Sequence, residues 1–314
     1  MEQALMFISQ LKNKLAIYDR YGEHRINGLK AVFILELLFL FNCVYTVPNP
    51  FFYFFFVPMS AFAAEIAGTC LAEKYLFLFF TIMGSTLAIF LFGLLSVYKL
   101  FFIFFVFAYS LWIYFTAIYK IKSMFVPAPL ILSIAIYSLI YNNSNSSFYI
   151  ALNHAMETLV AMLIMFAGLV LFPKIYYLAT WRRAFFDVLN DLERISAQIF
   201  YNEIDDLPIT PGIIIMERYS RMLSRKMKYF SVLKITLLSF TLVTALSYVS
   251  TFRTQLQLNF LEVFHSYVKR LRHACHAKEI LLLTPLDISE LQKTYELRTL
   301  HKLILSWNNL CGTV

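Results

Sequence analysis

The feature that most constrains the fold is the near absence of charge over residues 29–172, which hold only nine charged side chains. Uncharged runs recur in this stretch, and a helix of about 20 apolar residues crosses the hydrocarbon core of a bilayer. The whole chain is 60% hydrophobic and 15% charged, against roughly 45–50% and 25% in ordinary soluble domains. These values exclude a disordered chain, a fibrous repeat and most soluble enzymes, and they predict an integral membrane protein.

The apolar runs predict six membrane-spanning helices. They cover residues 29–47, 51–71, 75–97, 100–119, 125–141 and 149–172. The first break is Val47-Pro48-Asn49-Pro50, because two prolines so close together cannot both continue a helix. The fifth predicted span is the weakest, since it is short and has two prolines near its start.

The basic residues predict the orientation of these spans. With the N-terminus in the cytoplasm, the cytoplasmic segments hold Lys12, Lys14, Arg20, Arg25, Lys30, Lys74, Lys120, Lys122, Lys174, Arg182 and Arg183. The opposite side holds only Lys99. Because basic residues stay on the cytoplasmic side, both termini are expected in the cytoplasm. The net charge of +8 is then a topology signal, and no nucleic-acid partner is expected.

The chain becomes more polar after Phe172-Pro173. We therefore predict a cytosolic segment at 1–28, a six-helix transmembrane domain at 29–172 and a cytosolic helical domain at 173–314. The fold class is all-α, a polytopic membrane protein with six transmembrane helices followed by a cytosolic helical bundle. Within the last domain, Asp287-x-x-Glu290 is typical of a capping box that opens a last helix to about residue 309.

Two features of the cytosolic domain have alternative interpretations. Apolar side chains recur at spacings of three and four, a heptad seam that either packs inside the bundle or joins two copies. They are Leu178, Trp181, Phe185, Val188, Leu192, Ile195 and Ile199.

Residues 235–252 are uncharged and long enough for a seventh span. A cytosolic helix is favoured there, because a seventh span would export the basic residues that follow it.

Ionisable residues inside predicted spans are candidates for a substrate or proton pathway, since charge in the bilayer is costly and rare. They are Glu36, Glu65, His154 and Glu157. Glu36 is the best candidate for carrying a coupling proton, and the alternative is a structural carboxyl that ties two helices together through Asn42 or Ser60. Glu65 and Glu157 lie near span ends, where a side chain can reach water.

Other residues have simpler roles in these predictions. Lys74, Lys174, Arg182 and Arg183 would attract an anion at the inner mouth, and Gly84 and Gly93 would let helices pack closely. His273-Ala-Cys275-His276 has metal-ligand residue types, but its spacing on one helix does not favour a site, so no metal is expected. No nucleophile elbow, P-loop, dinucleotide fingerprint or H-E-x-x-H motif occurs, so neither an enzyme nor a cofactor is expected.

Four stretches resemble the fusaric acid resistance protein-like (FUSC) family, which includes the aromatic acid exporters. They are Arg25-Ile-Asn-Gly-Leu-Lys30-Ala31, the proline-containing second span, Gly84-Ser85-Thr86-Leu87-Ala88 with Gly93, and His154-Ala-Met-Glu157-Thr158 with the exit Leu171-Phe172-Pro173. The sequence departs from the family at Ala88, where a second glycine is common, and at His154, where arginine is frequent.

The resemblance implies a bacterial inner-membrane transporter that exports organic or aromatic weak acids with the proton gradient. It further implies a homodimer, because many relatives contain two six-helix blocks, and a periplasmic adaptor subunit. The expected partners are therefore membrane lipid, a second copy, an adaptor and a small organic anion. Two alternatives stay open: a membrane scaffold that does not transport, and a passive organic-anion channel.

Overall fold

The computed structural model describes the following parts of the chain: residues 19–46, 54–55, 57–67, 71–120, 127–141, 148–173, 175–201, 210–223, 230–251 and 259–313. Within them the secondary structure is helical and no β-strand occurs, which confirms the all-α prediction. The described residues divide into two compact units. We call Glu23–Pro173 the apolar unit, and Met1–Gly22 together with Lys174–Val314 the charged unit.

Six of the described helices belong to the apolar unit. They are α1 (Glu23–Val44), α2 (Val57–Ala67), α3 (Leu71–Leu95), α4 (Lys99–Lys120), α5 (Pro127–Tyr141) and α6 (Phe148–Leu171). Helix α3 packs against α5 and α6, and α1 packs against α6. Their shared core is apolar and includes the fully buried Leu38, Phe92 and Ile134. Closely packed apolar side chains therefore hold these helices together.

Five described helical segments are long and apolar enough to cross a membrane. They are Glu23–Val44, Glu73–Leu95, Lys99–Thr116, Phe148–Leu171 and Phe230–Ser250. Helices α2 and α5 have 11 and 15 residues, or about 17 and 23 Å at 1.5 Å per residue, which is short of the predicted spans at 51–71 and 125–141. The described helices thus fit a multi-pass membrane protein, and the number of six spans stays a prediction.

The other six described helices belong to the charged unit. They are α7 (Ile175–Tyr201), α8 (Pro211–Leu223), α9 (Phe230–Thr251), α10 (Asn259–Ala277), α11 (Pro285–Leu291) and α12 (Tyr295–Thr313). Helix α7 packs against α8 and α10, and α9 packs against α12, α8 and α7. Every residue of the predicted heptad seam on α7 is buried, the most exposed being Ile199 at 7%. The seam is therefore packing within one copy and not a surface that joins two copies.

Helix α9 contains the stretch that competes as a seventh span. Its Thr236 hydroxyl accepts a 3.0 Å hydrogen bond from Nε1 of Trp181, and both side chains are buried. Ser239 and Leu242 are buried on the same side of the helix. This face joins α9 to the core of the charged unit. Helix α9 is nevertheless long and apolar enough to cross a membrane.

A short N-terminal segment, Asp19–Gly22, belongs to the charged unit although it precedes the apolar unit in sequence. Helix α1 begins at Glu23, so the boundary predicted at residue 28 lies inside that helix. Gly22 has a φ of 80°, a conformation that suits glycine. A Cβ there would meet only the flexible end of the Arg183 side chain, so it is the backbone conformation that favours glycine at this turn.

Candidate anion-binding pocket

The charged unit contains a cavity of about 570 Å³, a volume typical of small-molecule sites. Its walls come from α7, the C-terminal end of α10 and the N-terminal segment. The lining residues are Arg20, Tyr21, Ala179, Arg182, Arg183, Phe186, Asp187, Asn190, Cys275, His276 and Lys278. Three arginines and one lysine face a single aspartate, so the pocket carries a net positive charge.

Helix α7 supplies the longest wall because of its helical periodicity. Residues Ala179, Arg182, Phe186 and Asn190 recur every three or four positions and line the pocket, so they form one stripe along the helix. The neighbouring stripe, which includes Trp181, Phe185 and Val188, is fully buried in the core. The apolar stripe thus fixes the rotation of α7 and directs the polar stripe towards the cavity.

Asp187 is the acidic residue of the pocket, and it is buried and paired. Its Oδ2 accepts a 2.7 Å hydrogen bond from the hydroxyl of Tyr21, and its Oδ1 forms an ion pair with Arg20. Burial and the bond to Asp187 raise the pKa of Tyr21 above its ordinary value, so the phenol keeps its proton. Because Arg20 balances Asp187, the excess positive charge lies on Arg182, Arg183 and Lys278.

Arg182 lies near Cys275, which also lines the pocket. Burial raises the pKa of the Cys275 thiol to about 12, and the charge of Arg182 opposes that shift. The thiol is therefore neutral and does not offset the guanidinium. Nε of Arg182 is buried without a hydrogen-bond partner among the described residues. An unpaired buried donor costs about 1–3 kcal/mol.

Lys278 lines the pocket in a backbone conformation that L-residues rarely adopt. Its φ is 61°, and it follows Ala277, the last residue of α10. The backbone N–H of Glu279 donates to the carbonyl of Ala274 at 2.9 Å, and that of Lys278 donates to Cys275 at 3.3 Å. This is a Schellman motif, whose left-handed position usually holds glycine. A lysine there costs stability, so its presence favours a role for the side chain.

Aromatic rings form part of the wall beside these charges. The rings of Phe186 and His276 lie 5.8 Å apart between centroids, which gives the pocket an apolar surface. In the His-Ala-Cys-His run, His273 and His276 are exposed whereas Cys275 is buried. Among the described residues no group of three His, Cys, Asp or Glu is placed to hold a metal ion.

The residues predicted at the inner mouth are only partly brought together. Arg182 and Arg183 both line the pocket, and Nη1 of Arg183 donates to the backbone carbonyl of Tyr21 at 3.2 Å. Lys74 is buried in α3 of the apolar unit, so it is not an exposed charge for attracting an anion. Lys174 lies outside the described residues.

The ionisable residues predicted for a membrane pathway lie apart in the apolar unit. Glu36 is on the exposed face of α1, and Ser60, one of its predicted partners, is fully buried. Glu65 lies in α2, and its side chain is outside the described structure.

His154 and Glu157 form a pair on α6, with 3.6 Å between Nδ1 and Oε2 and side chains that are 19% and 12% exposed. Asn153 donates to Oε1 of Glu157 at 2.8 Å. Glu157 is thus a largely enclosed carboxylate with two polar neighbours on its own helix.

The two glycines singled out in the sequence both lie at close helix contacts. A Cβ on Gly93 would lie 2.8 Å from the Cβ of Ala151 on α6, and one on Gly84 would lie 2.8 Å from Cδ1 of Ile131 on α5. The carbonyl of Gly84 also accepts a 3.0 Å hydrogen bond from the Tyr109 hydroxyl. Helix α3 therefore approaches α6 and α5 at positions that have no side chain.

No family model, no curated protein and no solved structure matches this chain.

Several pocket residues could not be selected from the sequence. Arg20 and Tyr21 are separated from Asp187 by more than 160 residues, and no periodicity connects positions that far apart. Lys278 is one of many lysines, and only its backbone conformation distinguishes it. Asp187 and Asn190 could have been predicted to lie beside Arg182 and Arg183, because they follow them at helical spacing on an amphipathic helix.

Proposed function

We propose that this chain is a multi-pass membrane protein that transports small organic anions, and that the pocket of the charged unit binds the anion. The observation that carries the proposal is the pocket itself, a cavity of about 570 Å³ with an excess of cationic side chains. Arginine presents a planar fork that matches a carboxylate. Aromatic rings beside the charges suit an organic anion better than a small inorganic one.

The composition of the apolar unit supports the membrane part of the proposal. Four of its described helices are long and apolar enough to cross a bilayer, and large apolar side chains such as Leu100 and Phe104 are 76% and 72% exposed. Water would make such a surface prone to aggregation, whereas lipid tails would cover it. A bilayer location therefore accounts for the outward-facing residues.

The pocket residues have distinct roles in this proposal. Arg182 binds the anionic group through its guanidinium, because this residue lines the pocket and carries a positive charge. Lys278 adds a second positive charge from the other wall, and Phe186 contacts the apolar part of the ligand. Arg20 and Tyr21 hold Asp187, so that this carboxylate does not repel the anion.

Proton coupling is part of the transport prediction, and Glu157 is better placed for it than Glu36. The Glu157 carboxylate is largely enclosed and has His154 and Asn153 beside it, whereas Glu36 faces outward. The resemblance to aromatic acid exporters, the bacterial inner membrane and a periplasmic adaptor stay predictions.

A second candidate is a membrane-bound anion receptor or scaffold without transport activity. The observation that favours it is the location of the pocket, whose lining residues all belong to the charged unit. A receptor needs the pocket of the charged unit but no pathway through the helices.

The two candidates are separated by measuring binding and flux on the same preparations. Benzoate is the probe, with the full-length protein in detergent for calorimetry and in liposomes for flux. Arg182→Gln should weaken binding by roughly tenfold, because one charge-assisted hydrogen bond is lost. Lys302→Gln is the matched control, since Lys302 is exposed on α12 outside the pocket and its loss should change the Kd less than twofold.

The outcomes are distinct. Flux and binding that are both lowered by Arg182→Gln and unaffected by Lys302→Gln support transport through this site. Binding without flux in the wild type supports the receptor. Equal binding by both variants contradicts the assignment of the pocket.

A further inference from the structure

Helix α1 carries an exposed stripe with the spacing of a coiled-coil seam. The stripe consists of Leu29, Val32, Glu36, Phe39 and Cys43, all exposed. Successive members are three, four, three and four residues apart, the a/d spacing of a heptad that faces a partner helix. The apolar members are 47–59% exposed, so the described residues of the same copy leave about half of each side chain uncovered.

The opposite face of α1 already has its partner inside the unit. Ile34 and Leu38 are 1% and 0% exposed, and a Cβ on Gly168 of α6 would lie 3.3 Å from Cγ1 of Ile34. This packing fixes the rotation of α1 and directs the stripe away from the core. Because α1 is long and apolar enough to cross a membrane, the stripe would meet lipid if no other protein covered it.

Glu36 makes lipid an unfavourable neighbour for this stripe. It is the fourteenth of 22 residues in α1, so it lies roughly 20 Å along a helix of about 33 Å. A charged side chain near the centre of a bilayer costs about 2.5–3.5 kcal/mol on insertion scales. Glutamate is shorter than lysine or arginine, which reach the interface from such depths more readily.

Helix α4 shows what a lipid-facing stripe looks like in the same unit. Its exposed face includes Leu100, Ile103, Phe104 and Phe107, each at least 58% exposed. No charged residue occurs between Lys99 and Lys120. The exposed face of α4 therefore needs no protein partner. The exposed stripe of α1 differs because it contains the ionisable Glu36.

We propose that the α1 stripe is the contact between two copies of this chain, with their α1 helices parallel and the two Glu36 side chains facing each other. Identical chains insert in the same orientation, so a two-fold axis along the membrane normal pairs each position with itself. A carboxyl group complements a second carboxyl, because the protonated one donates a hydrogen bond to the other. A single polar residue at an a position also fixes the register of paired helices.

Cys43 provides a native probe of this contact. It lies one heptad, or two helical turns, after Glu36 on the same stripe. Its thiol is free and exposed. Helices that pack 8–10 Å apart, with Cα atoms about 2.3 Å from each axis, bring facing Cα atoms to roughly 3.4–5.4 Å. Disulfides form at Cα separations of about 4.4–6.8 Å, so the two Cys43 residues are close enough to be cross-linked.

The test is oxidative cross-linking of the full-length protein in liposomes at a high lipid-to-protein ratio. The wild type should yield a disulfide-linked dimer, and Cys43→Ser should remove it. The matched control is Leu100→Cys in the Cys43→Ser background, which places an exposed thiol on α4 where only lipid is expected. Its yield of dimer should be roughly tenfold lower, a difference of about 1.4 kcal/mol in association.

Two substitutions at Glu36 test the role of the carboxyl group. Glu36→Gln keeps a donor and an acceptor, so the yield of Cys43 dimer should stay within twofold of the wild type. Glu36→Lys places two positive charges at the axis and should lower the yield roughly tenfold, with unchanged helix content by circular dichroism. Equal yields from Cys43 and Leu100→Cys, or a Glu36→Lys protein that dimerises like the wild type, would overturn the proposal.

Discussion

The apolar unit and the charged unit both have a buried apolar core, but the apolar unit also exposes a long apolar face on α4. In the charged unit Trp181 and Phe185 are fully buried, whereas in the apolar unit Leu100 and Phe104 are 76% and 72% exposed. A bundle in water must bury its apolar stripe, and a helix in lipid gains nothing by doing so. Besides its core, the apolar unit has helices that approach each other closely, as at Gly93 and Ala151.

The comparison is tested most strongly by removing a large apolar side chain from each unit. Trp181→Ala should lower the free energy of unfolding by about 3–5 kcal/mol, because it empties the core and removes the bond to Thr236. Phe104→Ala should change it by less than about 0.5 kcal/mol in detergent, since the ring packs on little protein. Thermal unfolding of the full chain, followed by circular dichroism, measures both. Equal losses would contradict the comparison.

The small residues of the apolar unit provide the next test. Gly93→Ala should destabilise that unit by about 1–3 kcal/mol, because the added methyl would lie 2.8 Å from the Cβ of Ala151. Gly28→Ala is the control, since a Cβ at Gly28 meets nothing within 4 Å. The melting temperatures of the two purified variants make the measurement. A Gly93→Ala protein as stable as Gly28→Ala would show that the close approach is unimportant.

A substitution in the pocket should separate stability from binding. Lys278→Gly should stabilise the charged unit by about 0.5–1 kcal/mol, because it relieves the left-handed backbone strain. It should also weaken benzoate binding, since one pocket charge is lost. Denaturation and calorimetry on one preparation measure the two effects. Loss of stability together with loss of binding would assign Lys278 a structural role.

The smallest expected effect concerns Asp287 in the charged unit. Hydrogen bonds from the Tyr267 hydroxyl at 2.6 Å and the Thr284 N–H at 2.7 Å lower the pKa of its carboxyl. A lowered folded-state pKa stabilises the protein above the ordinary pKa of about 3.9 and does so less as the pH falls below it. Asp287→Asn should therefore cost roughly 0.5 kcal/mol at pH 7, and the difference should shrink below about pH 4.

Asp191→Asn is the control for this effect. Burial raises the pKa of Asp191, so the loss of its charge should not lower stability at pH 7. A pH-independent cost of Asp287→Asn would contradict the electrostatic explanation.

The sequence predicted the fold class and the buried stripe of α7, because both depend on local composition and periodicity. It placed a capping box at Asp287-x-x-Glu290, whereas the box is formed by Thr284 and Asp287 and opens the seven-residue α11. The last helix instead begins at Tyr295. The box lies one turn earlier than predicted, because Thr284 is the N-cap and Pro285 suits the first turn of a helix.

The site was less predictable than the fold. Arg182 and Arg183 were identified as anion-attracting residues from charge alone, and both line the pocket. Glu36 was favoured as a buried proton carrier because depth along a helix can be counted. Its direction depends on which face of α1 packs against α6, and that face is set by distant residues such as Gly168. Sequence alone therefore predicts how deep a residue lies better than it predicts what the residue faces.

The contacts of Asp187 also limit how the intervening chain can be threaded through a bilayer. Arg20 and Tyr21 come before the apolar unit, Asp187 comes after it, and the three side chains touch. If the apolar unit crosses a bilayer, as we propose, both flanks would emerge on the same face and the number of crossings between them would be even. Crossing by all four long helices of the apolar unit would satisfy this parity. The shorter α2 and α5 would then both cross the bilayer or both stay out of it.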